Sequence, residues 1–281
     1  MFDLLLNARP CVGRACLHHQ LRHSSCQACL DVCPIGAIRH DNGSPSIDAD
    51  TCTACGNCTF VCPTSAIENL ATTERHFKGA TLTTPLSVIA PTVEELLVWH
   101  TQHAIRSVEV DIESAPGWLV ALAALNLRLK QMGETGWMVL SPEQKPVNSG
   151  RRSWLQIDKR EGSAIRVLPG RFLYKSSFAL TVDQHRCYLC GACSRICPKA
   201  AIEISEEAFV IRHSRCSGCE ACTDVCLPRA LTLEANVQSE VTALPLEVVR
   251  CKRCQKPFMA WSDLVDECPI CQRHDFGMRE A

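Results

Sequence analysis

The sequence predicts an α+β chain in which two small cysteine-rich modules flank a small α/β domain, with a compact four-thiolate module at the C-terminus. Three observations carry that expectation. One cysteine spacing recurs four times, a cysteine-free stretch of alternating strand and helix patterns separates the copies into two pairs, and two Cys-x-x-Cys knuckles close the chain. The expected boundaries are 1–75 and 176–240 for the paired cysteine modules, 76–175 for the α/β domain and 241–281 for the last module.

Composition narrows the function classes before any motif is read. The 281 residues allow several domains, and a formal net charge of −1 argues against a nucleic-acid or anionic-membrane partner found by charge alone. Twenty-one cysteines without a signal-like N-terminus point to a reducing, cytoplasmic compartment and to metal ligation rather than a disulfide scaffold. The longest strongly apolar run, Gly117 to Leu127, is far shorter than the ~20 residues that span a bilayer, so no direct membrane insertion is expected.

The most regular spacing reads Cys187-x-x-Cys190-x-x-Cys193-x-x-x-Cys197-Pro198, then Cys216-x-x-Cys219-x-x-Cys222-x-x-x-Cys226-Leu227-Pro228. Three thiolates at two-residue intervals can wrap one iron–sulfur cubane, each reaching a different iron, while the fourth serves the other cluster. Two copies of a four-cysteine run fit neither zinc knuckles nor a disulfide scaffold. Over about 180 to 235 the stretch resembles the clostridial-type two-cluster ferredoxins. The resemblance implies a cluster C on Cys187, Cys190, Cys193 and Cys226, and a cluster D on Cys216, Cys219, Cys222 and Cys197.

The N-terminal module repeats this plan. Cys26, Cys29 and Cys33 each precede Cys55, Cys58 and Cys62 by 29 residues, the offset that also separates Cys187 from Cys216. Each run ends in Ala and an aliphatic residue: Ala37-Ile38, Ala66-Ile67, Ala201-Ile202 and Ala230-Leu231. These pairs are expected to open the short element after each loop, and Asn42-Gly43 to close a hairpin ahead of a strand at Ser46-Ile47-Asp48. Modules this small are expected to fold only around their clusters. The repeat places His23 where a first cysteine belongs, with Cys16 and Cys11 upstream. Thiolate is the usual ligand, so Cys16 leads, with His23 and Cys11 as alternatives; His18 and His19 read as a solvated loop. The ferredoxin resemblance, over about 23 to 70, then implies a cluster A on Cys16, Cys26, Cys29 and Cys62, and a cluster B on Cys52, Cys55, Cys58 and Cys33.

The middle segment alternates. Leu86 to Ala90 reads as a strand; Thr92 to Glu95 is a capping box for a helix with Val93, Leu96, Leu97 and His100 on one side. A strand over Ser107 to Ile112 follows, then a helix after Pro116 with Trp118, Leu122, Leu125, Leu129 and Met132 on one face. Gly133 or Gly136 stops that helix before a strand over Trp137 to Leu140. This order suggests a small parallel sheet. No glycine-rich turn follows a strand, so no nucleotide site is supported. Glu143 to Arg152 reads as a linker, and apolar stretches at Ala164 to Leu168 and Phe178 to Val182 lead into Cys187.

Cys251-x-x-Cys254 and Cys268-x-x-Cys271, thirteen residues apart, make a four-thiolate site of zinc-ribbon or rubredoxin type, with one zinc preferred over one iron. Trp261, Phe258 and Phe276 read as its core or as partner contacts. Sixteen cluster thiolates and four ribbon thiolates leave one of the twenty-one cysteines over, Cys11 if Cys16 is a ligand. Two ferredoxin modules in one chain resemble the four-cluster electron-transfer subunits of molybdenum or tungsten oxidoreductases such as formate dehydrogenases. That resemblance implies four [4Fe-4S] clusters, no substrate chemistry of its own, a catalytic oxidoreductase subunit as partner, and a protein electron donor or acceptor. The other expectation is a redox-sensing or assembly protein for a metalloenzyme.

Overall fold

The computed structural model describes residues 9–41, 43–111, 113, 115–142, 163–167, 178–235 and 241–273; the linker expected over Glu143 to Arg152, and Phe276, lie outside them. The chain forms two compact units, Met1–Cys16 with Gln27–Phe172, and Leu17–Cys26 with Leu173–Ala281.

The first unit opens with β1 (Cys11–Val12); α1 (Leu17–Gln20) lies in the short segment assigned to the second unit. Then come α2 (Ala28–Asp31), β2 (Ile38–Asp41), β3 (Ser44–Ile47), α3 (Asn57–Val61) and β4 (Ile67–Glu68). β2 and β3 form the expected hairpin, Asp41 opposite Ser44, with Gly43 in the turn at φ +86°. β1 pairs antiparallel with β4, Val12 opposite Ile67.

The same unit continues as β5 (Glu74–Lys78), β6 (Thr81–Thr83), α4 (Val93–Gln102), β7 (Ser107–Glu109), α5 (Pro116–Gln131), β8 (Met138–Leu140) and β9 (Ser163–Arg166). The sheet order is β8-β7-β6-β5-β9. β6, β7 and β8 run parallel, whereas β5 pairs antiparallel with both β6 and β9, so the sheet is mixed rather than purely parallel. Thr92 caps α4 as its spacing requires, its Oγ1 accepting from the Glu95 N–H at 3.1 Å. The predicted inner face of α5 is buried at Trp118, Leu122, Leu125, Leu129 and Met132, and Gly133 follows its end at φ +75°.

One expected strand is absent. Leu86 to Ala90 bends, because Ser87 is held by polar groups on opposite sides: its Oγ accepts from Arg75 and its carbonyl from the Trp118 indole N–H. Val88 is left fully exposed. β6, too short to be read from its pattern alone, takes the place of that strand in the parallel set. Beneath it, Arg75 and Glu95 form a buried bidentate pair, and Arg75 also stacks 4.9 Å over the Trp118 ring. His100 is buried too; its Nδ1 accepts from Trp137 Nε1 at 2.9 Å and its Nε2 meets Glu134 at 2.7 Å.

The second unit repeats the first module's layout. β10 (Phe178–Val182), α6 (Ala192–Ile196), β11 (Ile202–Ile204), β12 (Ala208–Arg212), α7 (Ala221–Asp224) and β13 (Leu231–Ala235) are followed by β14 (Val241–Pro245), β15 (Glu247–Arg250), β16 (Pro257–Ala260) and α8 (Pro269–Arg273). β10 pairs with β13 as β1 does with β4, and β11 with β12 as β2 does with β3. β14 adds a third strand beside β12. Leu180, Leu189, Ile202, Phe209, Ile211 and Leu246 form the core between the strands and the cysteine loops. No helix among the described residues is long and apolar enough to cross a membrane.

Candidate iron–sulfur and metal sites

One turn recurs after the last cysteine of every run. Three residues past Cys33, Cys62, Cys197 and Cys226, the backbone enters the left-handed region at Gly36, Ser65, Ala200 and Arg229, with φ between +49° and +63°. Each of those N–H groups donates to the preceding cysteine's carbonyl at 2.9 to 3.3 Å. The turn aims the next N–H, from Ala37, Ala66, Ala201 or Ala230, at that cysteine's Sγ, at 3.1 to 3.3 Å. A left-handed non-glycine residue costs about 1–2 kcal/mol, a strain that a thiolate-binding turn explains. The alanines are 1–2 % exposed, and the aliphatic residue after each begins β2, β4, β11 or β13. The repeated Ala-Ile/Leu signal therefore marks a small side chain behind a sulfur acceptor and the start of a strand.

The Cys-x-x-Cys-x-x-Cys loops share a second feature. Left-handed residues flank the middle cysteine at Ala54 and Gly56, at Leu189 and Gly191, and at Gly218 and Glu220. A short helix follows each, presenting Cys58, Cys193 or Cys222 from its first turn. The first run departs from this pattern: Gln27, beside Cys26, has φ −119°.

These loops gather the thiols in the interlocked sets. A pocket in the first unit is lined by Cys33, Cys52, Cys55 and Cys58. Another in the second is lined by Cys187, Cys190, Cys193 and Cys226. Each takes three cysteines from one run and one from the other. Cys197 acts electrostatically on Cys216, Cys219 and Cys222, the same arrangement a third time. Burial, and then the crowding of neighbouring thiolates, pushes Cys58 up to about 12 and Cys193 to about 11. Burial raises Cys216 to about 11 and drives Cys222 upward as well. Converging soft donors, among them Cys58, Cys193, Cys216 and Cys222 that burial holds protonated on their own, fit a metal cluster, whose positive charge offsets that cost.

The remaining N-terminal candidates separate by position. In the paired ladders, the Gly13 N–H donates to the Ala66 carbonyl at 2.7 Å, as Asp183 does to Ala230 at 2.8 Å, so Gly13 and Asp183 are equivalent. Cys187 bonds back to Asp183 and Cys16 bonds back to Gly13, at 3.0 and 3.1 Å. Cys16 is buried, whereas His23 is exposed. Cys11 is an exposed residue of β1, near the Asn69 amide at 3.7 Å. His18 contacts the Cys26 carbonyl at 2.7 Å, so it is not the solvated loop residue expected, while His19 is exposed.

At the C-terminus the sulfurs of Cys251, Cys254, Cys268 and Cys271 all lie within 4.8 Å of one another, and three of these residues are buried. Cys254 and Cys268 are 3.9 Å apart, close to the ~3.8 Å edge of a tetrahedron with 2.3 Å metal–sulfur bonds. Backbone N–H groups of Cys254 and then Cys268 hold the Cys251 thiol below its ordinary value, while the neighbouring sulfurs, Cys268 first, push Cys271 up. Lys252–Asp266 and Arg253–Glu267 ion pairs tie the two knuckles together.

Sequence reasoning missed the roles of three features. The sulfur-capping turn was signalled only by the Ala-aliphatic offset. His213 is buried and its imidazole is held neutral by burial, with Nδ1 accepting from the Leu180 N–H at 3.3 Å and Nε2 facing Thr242 at 2.9 Å. Nothing in its surroundings in sequence marked it. Trp261 donates from Nε1 to the Cys187 carbonyl at 3.0 Å, a contact 74 residues apart that no local pattern could show.

Residues 24–66 and 186–230 match the 4Fe-4S dicluster domain family. One component of an ion-translocating oxidoreductase complex from Methanosarcina acetivorans is 49 % identical over 43 residues, covering 15 % of this chain and 16 % of that protein. An uncharacterized ferredoxin of Methanocaldococcus jannaschii is 39 % identical over 46 residues, 16 % of this chain and 28 % of its own length. A 7Fe ferredoxin of Hydrogenibacillus schlegelii is 36 % identical over 58 residues, 21 % of this chain and 62 % of that one. The chain thus spans less than two thirds of each of these relatives. It carries two stretches that match 4Fe-4S dicluster domains, similar to ferredoxins, and a four-cysteine group.

Proposed function

We propose that this chain relays single electrons through four [4Fe-4S] clusters within a multi-subunit oxidoreductase, of the formate dehydrogenase-like or another molybdenum or tungsten kind. The observation that carries this is the pair of cavities each lined by three cysteines of one run and the fourth of its partner run. Bound there, clusters supply one-electron chemistry, and the chain's own residues hold them, exclude water and aim N–H dipoles at the sulfurs. Sixteen cysteine ligands would leave no open iron for a substrate. In this reading Cys16 completes the first set, supported by its burial and by the ladder position that it shares closely with Cys187. The last module is read as a zinc ribbon. The relative from the ion-translocating complex supports a host of this general class, an oxidoreductase built from several chains.

Anaerobic affinity capture with identification of the captured proteins tests the reading. The expected result is stable co-purification with a catalytic partner, whose substrate reduces the clusters. Clusters that stay oxidised while that partner turns over would instead favour the sensing or assembly role.

A further inference from the structure

Within the second unit, the four-cysteine module does more than fold on itself. β15 ends beside Cys251, and the Cys251 N–H donates to the Lys256 carbonyl at 3.1 Å, so the knuckle sets the register of β15 against β16. β16 then delivers Trp261. Its ring packs 5.5 Å from that of the fully buried Phe209, and Met259 joins the same core. Its indole N–H donates to the carbonyl of Cys187, the first cysteine of the second unit's thiol-lined pocket, at 3.0 Å. At the other end of the hairpin, Leu246 is buried in that core and its N–H donates to the Glu207 carbonyl at 2.9 Å. The hairpin is therefore fixed to the ferredoxin core at both ends, and one of those ends is a direct hydrogen bond to a cluster-ligand loop.

We infer that Trp261 is a positioning residue for the cluster at Cys187, Cys190, Cys193 and Cys226, and that metal at the C-terminal cysteines holds Trp261 in place, making that module a clamp on one cluster. The inference rests on the cluster reading above. The chemistry is that of an outer-shell partner: an N–H donor at a ligating residue fixes the loop and places the positive end of its dipole near the cluster. A positive dipole end favours the reduced form, so its loss lowers the potential of that cluster and of no other.

The test is anaerobic redox titration, followed by electron paramagnetic resonance, of the full chain and of Trp261→Phe, Trp261→Ala and a Cys254→Ser/Cys271→Ser variant. Trp261→Phe keeps the aromatic packing and removes only the donor. The expected result is unchanged iron content with one redox wave moved to lower potential. Trp261→Ala and the double-serine variant are expected to lose that same cluster faster in air and to hold its iron roughly 10-fold more weakly, the loss of affinity typical of removing an outer-shell partner. Waves and air stability that are unaltered in both Trp261 variants would overturn the inference while leaving the cluster reading intact. Unaltered chain that holds no iron–sulfur cluster after anaerobic reconstitution would overturn both.

Discussion

A left-handed backbone residue beside a ligand is a cost that the fold accepts only where the turn is needed, and two positions with the same conformation make that testable. Gly56 and Glu220 both follow the middle cysteine of a run, at φ +77° and +60°. At Gly56 a Cβ would lie 3.0 Å from the Thr72 Cα and 3.2 Å from the Ala71 carbonyl, both backbone atoms that cannot turn aside. Gly56→Ala is expected to lose at least the ~1–2 kcal/mol of left-handed strain, plus the clash, and to weaken iron retention in the first unit. Glu220→Gly relieves strain and keeps its iron; thermal melting with iron analysis of the two variants checks the contrast. The same scale holds the ambiguous ligand. Cys16→Ser is expected to remove one cluster's signal, whereas His23→Ala and Cys11→Ser leave all four; loss of a cluster on the His23 change alone would reverse the assignment. Counting residues could not decide this, because α1 and its loop fall between Cys16 and Cys26 and break the regular spacing. The equivalence of Gly13 and Asp183 is a strand-pairing fact, invisible until β1 meets β4.

At the scale of elements, α4 and α5 were legible because a capping box and a one-sided apolar stripe are local signals that burial then rewards. The failed strand at Leu86 to Ala90 shows the opposite case. Its run of apolar letters reads as a strand locally, but the polar grip on Ser87 comes from Arg75 and Trp118, distant in sequence. The mixed sheet was missed for the same reason, since β5 and β9 pair with Phe77 opposite Ser163, across the whole of the helical segment between them. The Arg75–Glu95 pair joins β5 to α4 inside this domain. Arg75→Met strands a buried carboxylate and is expected to cost about 3–5 kcal/mol, whereas Arg75→Met with Glu95→Leu recovers most of it. Chemical denaturation of the singles and the double mutant measures this directly; a double mutant no better than Arg75→Met would show that the pair is needed for its specific geometry and not only its charge balance.

For the whole molecule, the thiols set a proton balance as well as a metal count. Burial pushes the thiols of Cys58, to about 12, and of Cys193 and Cys216, to about 11, above their ordinary value of 9.0. A raised folded value means that the metal-free fold is favoured fully below pH 9.0 and loses that support as pH rises through 11 to 12. Cluster loading runs the other way, because each ligand must give up its proton. Reconstitution is therefore expected to release about four protons per cluster and to become more favourable from about pH 6 to pH 8.5, read in weakly buffered solution with an indicator dye. The stoichiometry follows from the same sets. Four cubanes and one tetrathiolate site require about sixteen iron atoms and one zinc per chain in anaerobically prepared protein. Iron near eight would leave one dicluster domain empty. About seventeen iron with no zinc would place a single iron at Cys251, Cys254, Cys268 and Cys271, adding a one-electron site in contact with the Cys187 loop through Trp261.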